Sequence, residues 1–487
     1  MSEIGQTSHL KREILVRVIK SFLSGNFEEN VRLIPYDMRP KGCDVPYRCC
    51  VYKERAILKD RIIAGLGFSI EDDDELTLLS TYAKNAIERE KPDEKPLTVL
   101  EAACKGCVPS RVYVTDICQG CVARPCQNAC KFGAISFKDG KSVIDGSKCK
   151  GCTKCMQVCP YSAIVKLRVP CEDSCPVGAI EKDENGHARI DFDECISCGK
   201  CVSACPFGAV HEKSQIIDVL TKIKQGKRVV AMFAPALLGQ LPCTPEQLHT
   251  AIKKLGFSEV YEVAQGADCT TRHEAEDFIK RIDNGDDFMT TSCCAGYNQL
   301  VDKTLTEMKP FVSSSQTPVY YAAEIIKKEL PDSVIVFLSP CVAKRKECSQ
   351  NPNVDYMINF EELGAWFIAQ KVEVATCEPE EYKHESSKEG RNYCLTGGVA
   401  GAVEAVVGDK AEIKVHYVNG LNKQSIRDLK KFAKTGKCEF GNMIEVMACE
   451  GGCIAGNATI NSLKTAIKQV KSCSENSKSI NELPPES

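Results

Sequence analysis

Between residues 104 and 205 the chain carries sixteen cysteines, most of them in two copies of one layout. The first copy reads Cys126-x3-Cys130 followed by KFGAI, a hairpin-length loop ending in Val-Ile-Asp, then Cys149-x2-Cys152-x2-Cys155-x3-Cys159-Pro. The second reads Cys171-x3-Cys175 followed by PVGAI, a loop ending in Arg-Ile-Asp, then Cys195-x2-Cys198-x2-Cys201-x3-Cys205-Pro. Thiols at this density leave little room for an ordinary hydrophobic core, so the stretch must be organised by what its sulfurs hold. Gaps of two and three residues let one loop wrap several corners of a compact inorganic core, and the glycines free backbone N–H groups to face it. Paired C-x2-C motifs also make structural zinc sites. With 31 cysteines against 7 histidines in 487 residues, sulfur-rich iron sites are the better reading.

The start, MSEIGQTSHLKREILVRVIK, has no apolar signal region, and the longest apolar run, residues 229–238, is too short to span a bilayer. A cytoplasmic protein is expected. In that reducing compartment its thiols read as metal ligands or redox groups rather than disulfides. Lys+Arg 63 against Asp+Glu 66 leaves a net charge of −3, which points to neither nucleic acid nor a membrane surface as partner.

The repeated layout resembles bacterial ferredoxins with two cubane clusters, in which three closely spaced cysteines hold one [4Fe–4S] cluster and a fourth reaches its neighbour. The resemblance implies that Cys149, Cys152 and Cys155 join Cys130, and that Cys195, Cys198 and Cys201 join Cys175. Cys118-x2-Cys121-x4-Cys126 would take Cys159, as in polyferredoxins with the same wider third gap. Cys104, Cys107, Cys171 and Cys205 then remain, enough in number for a fourth cluster. A competing assignment exchanges Cys159 and Cys205. At least three cubanes, and as many as four, are expected here. Residues 105–170 hold eleven Lys/Arg and three Asp/Glu. That excess suits docking of an acidic electron carrier, or simply offsets the negative charge of thiolate-ligated clusters.

Around this region the texture changes. Residues 1–100 show helical patterning at 10–22 and 53–63 and read as a mostly helical N-terminal region, with Cys43, Cys49 and Cys50 as structural thiols. Residues 101–210 form the α+β polycluster region. Residues 211–472 alternate apolar runs with amphipathic stretches, the signature of an α/β domain with buried strands. The polar tail, 473–487, is expected to fray. Three apolar runs of the α/β domain end in cysteine: DDFMTTS at Cys293-Cys294, SVIVFLSP at Cys341, and NMIEVMA at Cys449, with Cys453 four residues on. Buried strands of an α/β fold present their C-terminal ends to a common crevice, so these thiols can meet there. A fourth run, VVAMF, ends in Ala234-Pro235 and would line the same crevice.

The segments Thr291-Ser292-Cys293-Cys294-Ala295-Gly296-Tyr297, Ser339-Pro340-Cys341-Val342-Ala343-Lys344 and Glu445-Val446-Met447-Ala448-Cys449-Glu450-Gly451-Gly452-Cys453 resemble the three signatures of the [FeFe]-hydrogenases. The resemblance spans roughly residues 145–460. It implies two Rossmann-like lobes around an H-cluster, a [4Fe–4S] cubane bridged by one thiolate to a diiron unit carrying CO, cyanide and an azadithiolate. Cys294, Cys341, Cys449 and Cys453 would hold the cubane, with Cys453 as the bridge. Lys344 and the backbone at Ala234–Pro235 would meet the cyanides, with Met447 and Ser339 packed against the diiron unit. Cys293 would pass protons onward through Glu274, Asp277, Arg281 and Ser313; the first three share one helix face at i, i+3 and i+7. Asp277 stands for a usual Glu, and the Glu274-to-Cys293 interval is one residue short. Ala295 and Tyr297 replace Pro and Trp, Ser339 replaces Met, and Asn457 replaces Gly.

The implied function is reversible conversion of two protons and two electrons into H2, with ferredoxin or a similar carrier as electron partner and maturation proteins to install the diiron unit. The rival readings are an H2 sensor of low turnover and a non-catalytic iron–sulfur relative. Trp366 is read as core, and Gly397-Gly398 as a tight turn rather than a phosphate loop.

Overall fold

A computed structural model describes residues 6–43, 50–104, 107, 111–380 and 385–484. Cys49 lies outside them.

Four helices open the chain: Gln6–Leu23, Phe27–Met38, Val51–Gly65 and Leu79–Glu88. In the first, Ile14, Leu15, Val18, Ile19 and Phe22 form one buried stripe, each side chain contributing on the order of 1.5–3 kcal/mol of burial. That stripe does not close a separate ball. The helix packs along Phe360–Gln370 of the α/β region, and Lys11 pairs with Glu361 at 2.6 Å and Glu212 at 3.8 Å. Strand Leu97–Val99 runs antiparallel to Val210–Glu212, which stitches the helical region to the end of the cysteine repeat.

The repeat in sequence is a repeat in space. Each copy carries a small antiparallel hairpin, Ile135–Lys138 with Lys141–Ile144 and Ile180–Lys182 with Ala188–Ile190. In the first half Arg111–Val114 also pairs with Ile164–Leu167. Three residues beyond Cys130, Cys159, Cys175 and Cys205 the backbone turns left-handed, at Gly133, Ser162, Gly178 and Gly208. The turn aims the next amide back at the sulfur: Ala163 N donates to Cys159 Sγ at 3.4 Å, Ala179 N to Cys175 Sγ at 3.2 Å, and Ala209 N to Cys205 Sγ at 3.4 Å. A thiolate held this way is solvated by backbone rather than by water.

The rest of the chain is built on two parallel sheets. One orders Glu259–Glu262, Val229–Phe233, Val334–Ser339 and Tyr356–Asn359; the other orders Met289–Thr290, Met443–Met447 and Val415–Asn419. Strands 229–233 and 443–447 are buried at every position; the first is an unbroken apolar run, and the second also buries Glu445, whose carboxylate is met by backbone amides. The long helix Val263–Asp283 packs on Pro318–Glu329. Their approach needs Gly266, where a Cβ would sit 2.0 Å from the Pro318 carbonyl oxygen.

The tail departs from expectation. Helix Leu463–Glu475 continues into a docked segment in which Ile480 is buried and Arg272 donates to the Ile480 carbonyl at 3.0 Å. Two apolar anchors, Ile480 and Leu483, are enough to hold residues 476–484 against the body. The Gly397-Gly398 turn is occupied from within. Glu445 accepts from Gly397 N at 2.7 Å and Ala400 N at 2.8 Å, so a carboxylate of the chain already caps that helix. Trp366 is fully buried against Phe257. Among the described residues no helix is long and apolar enough to cross a membrane.

Candidate active and metal centre

The two sheets point their C-terminal ends into one cavity of about 80 Å3. Ala234, Pro235, Ser339 and Cys341 come from the ends of the four-stranded sheet; Cys293, Cys294 and Met447 come from the three-stranded one; Lys344, Tyr393, Cys394 and Cys453 complete the wall. Cys294 and Cys341 each cap a helix, Ala295–Lys303 and Val342–Gln350, and Cys453 starts a short 3-10 turn. Helix N-termini stabilise thiolates. The loop before Cys453 runs so close to residues 394–396 that a Cβ on Gly452 would meet the Cys394 carbonyl oxygen at 2.5 Å.

The four thiols expected to hold the cubane share one electrostatic neighbourhood. Burial pushes the Cys341 thiol up to about 11, with Cys294 adding to it. Burial also raises Cys449 and Cys453, each raised further by Cys341 and Cys294. Four half-buried sulfurs this near one another would repel as thiolates, and a multiply cationic iron–sulfur core is the kind of group that would relieve them. Among the described residues no three His, Cys, Asp or Glu side chains close around a single metal ion. An all-thiolate donor set is the kind that iron–sulfur clusters take, so these four residues fit one.

Cys293 is buried beside this set, and burial, followed by Glu274, lifts its thiol well above the usual range. Glu274 is fully buried. Its Oε1 accepts from Ser292 N at 2.9 Å and Ser292 Oγ at 3.0 Å, while Oε2 has no protein partner. Burial raises this carboxyl to about 7 against the pull of Ser292 and the nearby Ser313 hydroxyl. Asp277 accepts from Ser314 N at 2.8 Å and from Arg281 Nε at 3.2 Å. Arg281 in turn donates to the carbonyls of Pro310 and Val312 at 2.6 and 3.0 Å. Glu274, Asp277, Arg281 and Ser313 thus lie in one polar run that begins at Cys293 and becomes more exposed outward.

Lys344 lines the cavity but is gripped by Glu347, at 3.0 and 2.8 Å. Burial disfavours its charge, and Glu347 more than restores it. The i, i+3 spacing of that pair was visible in sequence. Nothing in sequence pointed to Tyr393 or Cys394, which reach the cavity from a distant segment, whereas Ser292 adjoins Cys293 and bonds Glu274.

The ferredoxin-like thiols sort into sets. Burial pushes Cys198 up to about 12, with Cys195 and Cys175 adding to it, and Cys201, raised by burial, feels Cys198, Cys195 and Cys175, with Cys171 after them. Cys171, pushed up to about 11 by burial, is next affected by Cys205 and also by Cys104, and Cys107 senses Cys205 and Cys104. The four leftover thiols are therefore brought together, which places Cys205 away from the 149–155 loop. Cys130, Cys149, Cys152 and Cys155 line one small cavity. Cys126 lies 3.4 Å from the Ser142 hydroxyl, and Cys118 is lowered by the Ser142 and Gly120 amides. Cys159 packs into the same small core. Of the two nearest sets, Cys198 acts on Cys449, and Asn457 ties them mechanically. It donates to the Cys198 carbonyl and accepts from Ser203 Oγ at 2.6 Å.

Residues 227–457 match the family profile described as "Iron only hydrogenase large subunit, C-terminal domain"; residues 170–209 match a 4Fe-4S dicluster domain and 141–164 a 4Fe-4S binding domain. The periplasmic [Fe] hydrogenase large subunit of Nitratidesulfovibrio vulgaris is 30% identical over 375 residues, covering 64% of this chain and 85% of that protein. Iron hydrogenase 1 of Clostridium pasteurianum is 29% identical over 255 residues, 43% of this chain and 44% of that one. A solved [FeFe]-hydrogenase from Chlamydomonas reinhardtii overlaps 55% of this chain and 92% of its own at 19% identity, with a TM-score of 0.46. A profile that spans the cavity's strand ends and a relative matched over most of its length agree: the chain belongs to the iron-only, or [FeFe]-, hydrogenase family.

Proposed function

We propose that the chain interconverts two protons and two electrons with H2 at an H-cluster seated in this cavity, with ferredoxin or a similar carrier supplying or accepting electrons. The observation that carries the reading is the placement of the Cys293–Glu274 run against the Cys294, Cys341, Cys449 and Cys453 set. These four residues would hold the cubane, with Cys453 shared with the diiron unit; Lys344 and the Ala234–Pro235 backbone would meet its cyanides, and Met447 and Ser339 would pack against it. In this reading each sheet with its helices forms a Rossmann-like lobe. When bound, the H-cluster supplies an open iron beside an amine base for heterolytic H2 chemistry.

The residues of the chain do the rest. Cys293 keeps its proton at neutral pH because burial disfavours the thiolate, so it can hand one proton on without becoming a permanent ligand. Glu274, raised to about 7, can hold or release a proton at working pH. Ser313, Asp277 and Arg281 lead outward. The apolar wall keeps water from the metal side. Electrons would pass through four [4Fe–4S] sets: Cys118/121/126/159, Cys130/149/152/155, Cys104/107/171/205 and Cys175/195/198/201, the last next to Cys449. The basic first half, with Val122 and Ile117 exposed, suits an acidic carrier. Maturation proteins would install the diiron unit, and thiolate clusters of this number fit a cytoplasmic setting.

Infrared spectroscopy of matured protein tests the reading. Bands from metal-bound CO and cyanide, with H2 evolution from reduced carrier, are expected. A matured sample with cubane signals but no such bands would contradict it.

A further inference from the structure

A second concavity, of about 330 Å3, lies beside the first. Asp302, Gln316, Gln350 and Pro352 form its exposed rim, and buried Ala295, which also lines the cluster cavity, is at its floor. Its walls are polar, and several of their buried atoms have no protein partner: both ends of the Gln299 amide and Asn298 Oδ1. Ser315 Oγ, one residue before Gln316 of the groove rim, is likewise unpartnered, as is Glu274 Oε2. Burying an amide or hydroxyl with nothing to bond is costly, and such groups in native proteins are met by ordered water. The connections run inward. Asn298 Nδ2 donates to the Ser292 carbonyl at 2.7 Å, and the Ser292 hydroxyl sits between Glu274 Oε1 at 3.0 Å and the Ser315 carbonyl at 2.9 Å.

We infer that this groove is a second proton inlet, in which water held by Asn298, Gln299 and Ser315 carries protons from solvent to Glu274 without passing Asp277 or Arg281. A groove water gives its proton to the Glu274 carboxylate and takes one from the next water outward. No bond beyond O–H changes, and no charge is left behind. The inference rests on the hydrogenase reading of the main cavity, but its structural half does not.

Two measurements test it. In a high-resolution crystal structure of the protein, ordered waters should link the Gln299 and Asn298 amides through Ser315 to Glu274; a dry groove, or one closed by side chains, overturns the proposal whatever the enzyme's activity. In matured enzyme, Asp277→Asn should slow turnover about 10-fold and Gln299→Leu about 3-fold, and the two together well beyond the product of those factors, as blocking parallel routes does. Gln299→Glu, which keeps the polar wall, should restore the double variant to the Asp277→Asn rate. A double variant no slower than Asp277→Asn alone, or unrescued by the glutamate, contradicts the second inlet.

Discussion

The cysteine repeat and the catalytic crevice both gather thiols, by opposite means. In the repeat, ligands lie two to four residues apart and local turns aim them; its first half has a core of Val112, Cys126, Ile135, Cys155 and Ile164, of which two are themselves candidate ligands. In the crevice, candidate ligands from residues 294 to 453 are brought together by the ends of two parallel sheets whose strands 229–233 and 443–447 are fully buried. The first arrangement depends on what it binds. The second is a scaffold that stands before anything is bound, so cluster loss and side-chain loss should have different effects in the two regions.

Iron removal gives the widest separation. Chelation under reducing conditions should unfold the 111–167 half, seen as loss of amide-exchange protection there, while strands 229–233 and 443–447 stay protected, because binding free energy is folding free energy only where no other core exists. Equal loss of protection in both regions would erase the distinction.

Next in size is Glu274. Its carboxyl is raised to about 7 when folded, above its ordinary 4.5, so the folded state binds the extra proton between those values. Stability from this group is therefore greatest below about 4.5 and falls as pH rises towards 7. Denaturant midpoints across that window should decline less in Glu274→Gln than in the parent. The same variant should lose on the order of 10²-fold or more in turnover. An unchanged pH slope would show the carboxyl to be ordinary.

Asn457 joins the two regions. Asn457→Ala removes its bonds to Cys198 and Ser203 and should slow electron delivery to the crevice several-fold, about 1 kcal/mol for a lost hydrogen bond, with cluster content intact. Rapid-mixing reduction kinetics would show it. The smallest effect is expected from charge reversal at Lys138, Lys141 and Lys148, which should weaken the salt dependence of carrier-coupled turnover without changing its rate at high salt.

The same contrast explains what was legible in the sequence. Cys149-x2-Cys152-x2-Cys155 is a local pattern, and spacing suffices to read it; so does a buried strand that runs into Cys341. The meeting of Cys104 and Cys107 with Cys171 and Cys205 could only be counted, because it depends on how two copies of the repeat fold against each other. Tyr393 and Cys394 were invisible for the same reason, since a side chain's reach into a cavity is set by tertiary packing. Helical periodicity identified the 10–22 segment but could not say that it docks on 360–370, because an apolar stripe does not name its partner. In the tail, polar composition concealed the two anchors Ile480 and Leu483.

Cys293→Ala in matured protein tests the central claim most directly, that a preformed crevice holds an H-cluster fed by a cysteine relay. The account predicts infrared CO and cyanide bands in both parent and variant, with H2 turnover reduced on the order of 10²–10⁴-fold in the variant. Bands in both with undiminished turnover in the variant would contradict it.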